Sequence, residues 1–208
     1  MNAGEFTTID LLRHGQCEGG EIYRGHSDVS LTETGWQQMQ RSLDYLPQPW
    51  PWQHIICSPL LRCSEFAAQL AQQLGVKWHS LPNLMEMSFG AWDGMAIAEV
   101  WREYPEQAER FMLNPAGITP PGGESLAELQ QRVLAGWRQM LEHYRGQHLL
   151  SIQHGGTIRV ILAEVLNMPL DAVVRLHVPY ASLCRIRVYH DPHSRPQLIF
   201  HNPTESAV

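Results

Sequence analysis

Arg13, His14, Arg62 and His154 are the residues of this chain best placed by type and spacing to do chemistry, because each stands at or just past the end of a short apolar run. Arg13-His14-Gly15 ends the run through Ile9, Leu11 and Leu12. His154-Gly155-Gly156 ends Leu149-Leu150-Ser151-Ile152-Gln153, and Arg62 lies in Ser58-Pro59-Leu60-Leu61-Arg62, after Ile55-Ile56-Cys57. A phosphate group needs positive charge and many hydrogen-bond donors. Arginine supplies a planar fork that matches phosphate oxygens, and a helix N-terminus adds backbone N–H groups. Gly155-Gly156 lets that backbone approach closely. Two histidines can then divide the work. A neutral imidazole attacks phosphorus if a hydrogen bond at its other nitrogen fixes the tautomer, and a second, if cationic, stabilises oxygens that gain charge in the transition state. A single histidine or arginine at a strand end is more often structural or merely solvated. Three such ends in one chain make an anion site the leading expectation.

Those residues cooperate only if the fold brings the three ends together. Residues 6–12 have the short, apolar, Thr- and Ile-containing pattern of a strand. The connection over 13–30 is long and glycine-rich, which in a compact domain favours a functional loop. Thr32 is a helix cap, followed by Trp36, Met39, Leu43 and Leu46 at helical spacing, until the prolines after Leu46 stop the helix. Residues 54–57 form a second strand. Ser58-Pro59 then reads as a cap with proline at the first helical position, opening a helix to Leu74 that turns Leu61, Phe66, Leu70 and Leu74 inward. Residues 76–80 are a third strand. Residues 84–123 read as an excursion, a cap or side wall of the site, with two helical patterns broken at Pro105. Ser125-Leu126-Ala127-Glu128 is a capping box opening the longest helix, with a strand over 148–152 and a helix over 155–166 after it. A hairpin over 182–201 turns around Asp191-Pro192, and the polar tail, 202–208, is expected to be loose.

Strands alternating with amphipathic helices predict an α/β fold, a mainly parallel sheet flanked by helices on both faces, in one domain spanning 1–208. Ligands in such folds bind beyond the carboxyl ends of the strands, where helix N-termini also point. The four residues singled out above all fall at that edge.

Composition narrows the partners. The chain has 208 residues, 44% of them hydrophobic, and a formal charge of -6, so no global basic field exists for nucleic acid or an anionic membrane. No apolar stretch reaches membrane-spanning length, and Met1-Asn2-Ala3-Gly4-Glu5 lacks the pattern of a signal peptide. The four cysteines, Cys17, Cys57, Cys63 and Cys184, form no CxxC pair, and free thiols predict a reducing, cytoplasmic setting. HExxH and Walker-type motifs are absent and the HxxH at His190 and His193 flanks a turn, so neither a catalytic metal nor another cofactor is expected. Nothing in the sequence fixes an oligomeric state.

Five segments in order complete the picture: Leu11-Leu12-Arg13-His14-Gly15, Ser58-Pro59-Leu60-Leu61-Arg62, Glu86 with Phe89-Gly90-Ala91-Trp92-Asp93-Gly94, Gly122-Gly123-Glu124-Ser125, and His154-Gly155-Gly156. Together they resemble the histidine phosphatase superfamily, in its phosphoglycerate mutase-like branch. The resemblance implies a three-layer sandwich and a metal-independent phosphomonoesterase. His14 would be the nucleophile that forms a phosphohistidine, with Arg13, Arg62 and His154 clamping the phosphoryl group beside Gly155. Glu86 would donate a proton to the leaving oxygen and then activate water; that role comes from the family alone. Length and the FGxWDG and GGES segments look most like the α-ribazole phosphatases of cobalamin synthesis, with general sugar-phosphate phosphatases sharing the same features.

The likeness breaks just after Gly15. The family continues with Glu, then Thr or Ser, with Asn three residues later, whereas this chain has Gln16, Cys17 and Gly20. Those changes bear on a small-molecule substrate more than on the chemistry, and Gln16 and Arg24 become the substrate-binding candidates. Two other readings compete. A phosphoglycerate mutase would need extra positive charge after Glu86, and residues 95–121 hold only Arg102 and Arg110 against four glutamates. A non-catalytic module that binds a phosphorylated ligand would keep the fold without turnover.

Overall fold

A computed structural model of the chain describes residues 6–202, so the expectation for 203–208 lies outside the described residues. Its centre is a six-stranded sheet in the order β3-β2-β4-β1-β5-β6. The strands are β1 (Phe6–Arg13), β2 (His54–Cys57), β3 (Lys77–Ser80), β4 (His148–Gln153), β5 (Leu183–Tyr189) and β6 (Gln197–His201). The first four are mutually parallel, while β5 and β6 run antiparallel at one edge. Register decides what lies at the carboxyl edge. Arg13 pairs with Gln153, and Cys57 with Ile152, so His14, Ser58 and His154 all emerge side by side.

Side-chain alternation divides the core into two layers, as the two-residue period of a strand requires. Ile9, Leu11 and Leu149 face α5 (Leu126–His143) and α6 (Gly155–Val165), where Leu129, Val133, Trp137, Ile158 and Ile161 complete one buried cluster. Leu12, Ile55, Leu150 and Ile152 face the other way, onto Met39 and Leu43 of α1 (Glu33–Asp44) and Phe66 and Leu70 of α2 (Leu61–Leu74). Thr32 caps α1 by accepting the Gly35 N–H, and Ser125 with Glu128 forms the capping box of α5. No helix among the described residues is long and apolar enough to cross a membrane.

The start of α2 differs from expectation. Its N-cap is Leu60, and Ser58 Oγ accepts from the Leu60 N–H instead of capping the helix. The capping carboxylate comes from elsewhere: Asp28 Oδ1 accepts from the Leu61 N–H at 2.7 Å. With the helix starting later, Leu61 turns outward at 37% exposure and Arg62 turns inward at 0%. A guanidinium thus takes the buried first-turn position that a sequence pattern assigns to leucine.

Residues 84–123 leave the sheet and run alongside its carboxyl edge. They contain α3 (Ile97–Glu103) and α4 (Pro105–Leu113), with Pro105 opening the second helix. Trp92, Val100 and Ala108 form their own small buried cluster, with Tyr23, Phe89 and Phe111 packed against it. Ile97 and Met112 stay 39% and 59% exposed, and both line the cavity described below.

Candidate active site

His14 is held from both sides of the sheet. Its N–H donates to the Gln153 carbonyl and its carbonyl accepts from Ala181 N–H. The ring is 4% exposed. Nδ1 lies 2.8 Å from the Gly15 carbonyl, a pure acceptor, so Nδ1 carries the proton and Nε2 keeps its lone pair. Cys17 Sγ donates to the same carbonyl at 3.4 Å and lies 3.3 Å from Nδ1. Burial pushes the imidazole pKa well below the usual value, and Arg13 and Arg62 push it further. The ring is therefore neutral at pH 7, which is what a nitrogen nucleophile requires.

His154 carries the opposite tautomer. Arg62 Nε donates to its Nδ1 at 3.2 Å, which makes Nδ1 the acceptor and places the proton on Nε2. The two imidazoles meet edge to face with centroids 5.2 Å apart. One presents a lone pair and the other a donor. Burial, then Arg62, His14 and Arg13, holds the His154 pKa well below the ordinary value, so it is a neutral donor and not a cation.

Arg62 is fully buried, yet among the described residues it donates only to the Gly25 carbonyl at 2.7 Å, the Ser27 carbonyl at 2.9 Å and His154. None of these neutralises its charge. Arg13 is similar: Nη1 donates to the Val178 carbonyl at 2.7 Å, its guanidinium lies over the Tyr180 ring at 4.5 Å, and its buried Nε has no partner among the described residues. Glu86 completes the set at 8% exposure. Its Oε2 accepts from the Gly156 N–H at 3.0 Å and its Oε1 from the Met87 N–H at 2.9 Å. A Cβ on Gly156 would collide with Glu86 Oε1, so the second glycine of the motif is there to admit the carboxylate.

Two carboxylates behind the site explain the other motifs. Asp93, of the FGxWDG segment, accepts from the N–H groups of Gly25, His26 and Ser27 and from Ser27 Oγ. It thereby fixes the two carbonyls that hold Arg62. Glu124, of the GGES segment, takes Arg132 in a two-pronged pair at 2.7 and 2.8 Å. Arg132 in turn donates to the carbonyls of Asn83, Met85 and Glu86, pinning the segment that carries Glu86 to α5.

Arg13, His14, Arg24, Glu86 and Gly155 line one cavity of about 610 Å³; His154 and Arg62 are not on its wall and reach it through His14, whose ring lies 5.2 Å from that of His154. Arg24 is oriented by the carbonyls of Glu18 and Gly20 at 2.8 and 2.7 Å. Gly20, at φ +72, therefore serves as an acceptor in a left-handed turn that holds the arginine. Gln16 does not join them: its Oε1 accepts from Thr32 Oγ1 and it is absent from the cavity wall. Sequence reasoning passed over Tyr180, Arg132 and Arg159. Arg159 had a signal, as the one basic residue of α6; Tyr180, in a short connection before β5, had none.

The chain belongs to the histidine phosphatase superfamily (branch 1), whose pattern it matches over residues 9–198. Among curated proteins it is 34% identical over 198 residues to a bifunctional protein of Mycobacterium tuberculosis, covering 94% of this chain and 54% of the relative. The chain thus spans about half the length of that protein. It is 29% identical over 161 residues to the adenosylcobalamin/alpha-ribazole phosphatase of Salmonella typhimurium, covering 76% of this chain and 79% of that one. A solved mycobacterial glucosyl-3-phosphoglycerate phosphatase superposes with a TM-score of 0.82 at 24% identity, covering 96% and 100% of the two chains, which establishes the shared fold. The phosphoglycerate mutase-like sandwich is thereby shown.

Proposed function

We propose that the domain is a metal-independent phosphomonoesterase that works through a phosphohistidine on His14. Nε2 of His14 attacks phosphorus as the P–O ester bond breaks, and Glu86 in its acid form gives its proton to the leaving oxygen. Glu86, now a carboxylate, takes a proton from water, whose oxygen displaces His14 and releases inorganic phosphate. Arg13, Arg62, the His154 Nε2–H and the Gly155 N–H hold the phosphoryl oxygens throughout. The observation that carries this reading is the tautomer pair: Gly15 and Arg62 fix His14 as an acceptor and His154 as a donor. Hydrolysis of phenyl phosphate in the presence of chelator, with an acid-labile phosphoenzyme that disappears in His14→Ala, is the expected result. Full turnover in that variant would sink the mechanism.

For the substrate, α-ribazole 5'-phosphate is the reading we favour, in a small-molecule, cytoplasmic setting without nucleic acid or membrane. The support is the size of the cavity and its apolar far wall of Tyr23, Phe89, Phe111 and Leu129, which suit a ring-bearing leaving group better than a compact acid. The likeness to the Salmonella phosphatase points the same way. A panel of phosphomonoesters scored by kcat/KM tests it. A flat profile would leave a general sugar-phosphate phosphatase, and phosphoglycerate interconversion would indicate a mutase. Tight ligand binding without turnover of any ester would indicate a binding module.

A further inference from the structure

Arg159 has no task in the mechanism above, although it lines the same cavity as Arg13, His14 and Glu86. It sits one turn into α6, half-buried, and its Nε donates to the Leu176 carbonyl at 3.0 Å. Arg13 is anchored two residues further along the same strip, on the Val178 carbonyl. The two guanidiniums flank Gly155: a Cβ there would lie 3.1 Å from Arg159 Nη1 and 3.3 Å from Arg13 Nε. Gly155 thus keeps open the space between two cations.

Neither arginine has a carboxylate within salt-bridge distance among the described residues. Both have their pKa lowered by burial, partly offset by the charge of Glu86. Glu86 does not bind them directly; its oxygens accept from Met87 and Gly156. Arg159 lines the cavity, and its Nη groups have no acceptor among the described residues.

The geometry points to Arg159 as a specificity-determining residue whose Nη donors grip an oxygen acceptor on the carbon skeleton of the leaving group, close to the ester. This rests on the phosphomonoesterase reading and deepens it. A sugar hydroxyl or ring oxygen and a carboxylate are the two sources of such an oxygen, and the carboxylate would use the guanidinium fork most fully. Sequence reasoning looked for a second cation in residues 95–121; the fold supplies one from α6 instead.

The test compares kcat/KM for phenyl phosphate, whose leaving group has no acceptor beyond the ester oxygen, with ribose 5-phosphate and 3-phosphoglycerate. Arg159→Met is expected to lower at least one of the two ratios, ribose 5-phosphate or 3-phosphoglycerate over phenyl phosphate, by about tenfold, the worth of a charge-assisted hydrogen bond. Which ratio falls identifies the source of the oxygen. Arg159→Lys, which keeps charge but not the fork and guards against a folding defect, should fall between the two. A uniform loss on all three esters, or no change in either ratio, overturns the inference. If the wild type turns over none of them, the phosphomonoesterase reading fails separately. Calorimetric Kd values of the same three esters for wild type and Arg159→Met then give the same ratios, and equal ratios reject the role of Arg159.

Discussion

Asp10 and His14 lie on and just past the same strand, β1, and their charged surroundings follow opposite rules. Asp10 is fully buried and saturated: Arg185 donates to it at 2.6 and 3.0 Å, Trp52 Nε1 at 2.7 Å and His148 Nε2 at 3.0 Å. Arg185 is its cross-strand partner in the β1–β5 register, so the sheet itself holds the pair. Burial alone would raise the Asp10 pKa, but bonds from His148 and Arg185 outweigh it and hold the carboxyl below its ordinary value. At the carboxyl edge the reverse holds. Arg13 and Arg62 are bound by carbonyls and an imidazole that orient them without cancelling charge. A closed cluster stabilises a sheet; a cluster short of negative charge is completed by a ligand.

Breaking the open cluster should abolish activity with little loss of fold. His14→Ala is expected to lower kcat by at least about 10⁴-fold, as removal of a covalent nucleophile does, with a melting temperature close to wild type. Single-turnover assays would expose any residual route. Glu86→Gln should cost about 10²- to 10⁴-fold on alkyl esters, the range for a lost general acid. The cost should be smaller for 4-nitrophenyl phosphate, whose leaving group needs no proton. Equal losses on both would mean that Glu86 acts on the phosphoryl group and not on the leaving oxygen.

The same contrast governs what the sequence reveals. Apolar alternation and caps made β1, β4, α5 and α6 readable, because one strand face and one helix stripe must be buried whatever the function. Arg13, His14, Arg62 and His154 were readable because glycine and charge interrupt those patterns at strand ends. Residues set by long-range pairing were not. Asp28 displaces Ser58 as the partner of the α2 terminus, which turned Leu61 outward against its hydrophobicity. Gln16 follows the Arg13-His14-Gly15 triplet yet bonds to Thr32, because the chain turns there toward α1. Asp93 and Arg132 act on backbone far away in sequence, and no local spacing announces that.

Breaking the closed cluster should do the opposite. Asp10→Ala leaves Arg185 without its carboxylate, and the loss of one partner of a buried pair costs about 3–5 kcal/mol. Denaturant unfolding would measure it, while kcat/KM per folded molecule should stay within about twofold. Since the folded carboxyl pKa is depressed, this contribution is fully present above the ordinary aspartate value and fades as pH falls through it. A large loss of activity in folded Asp10→Ala would show that the two ends of β1 are coupled.

The smallest effect separates the clusters by pH alone. His14 and His154 are both held well below the ordinary histidine pKa, first by burial and then by neighbouring arginines. Above about pH 6.5 both rings are neutral folded and unfolded, so they leave stability unaffected by pH. Below it the unfolded chain takes up protons that the buried rings refuse. Stability should then fall by up to about 1.4 kcal/mol per pH unit for each ring. Unfolding midpoints between pH 7.5 and 5.5 in phosphate-free buffer should show this slope, and His154→Gln should reduce it by one ring's share. An unchanged slope in His154→Gln would mean that His154 takes up its proton in the folded state. It would then be a cation before any anion arrives, and the neutral-donor role argued from the Arg62 hydrogen bond would be wrong.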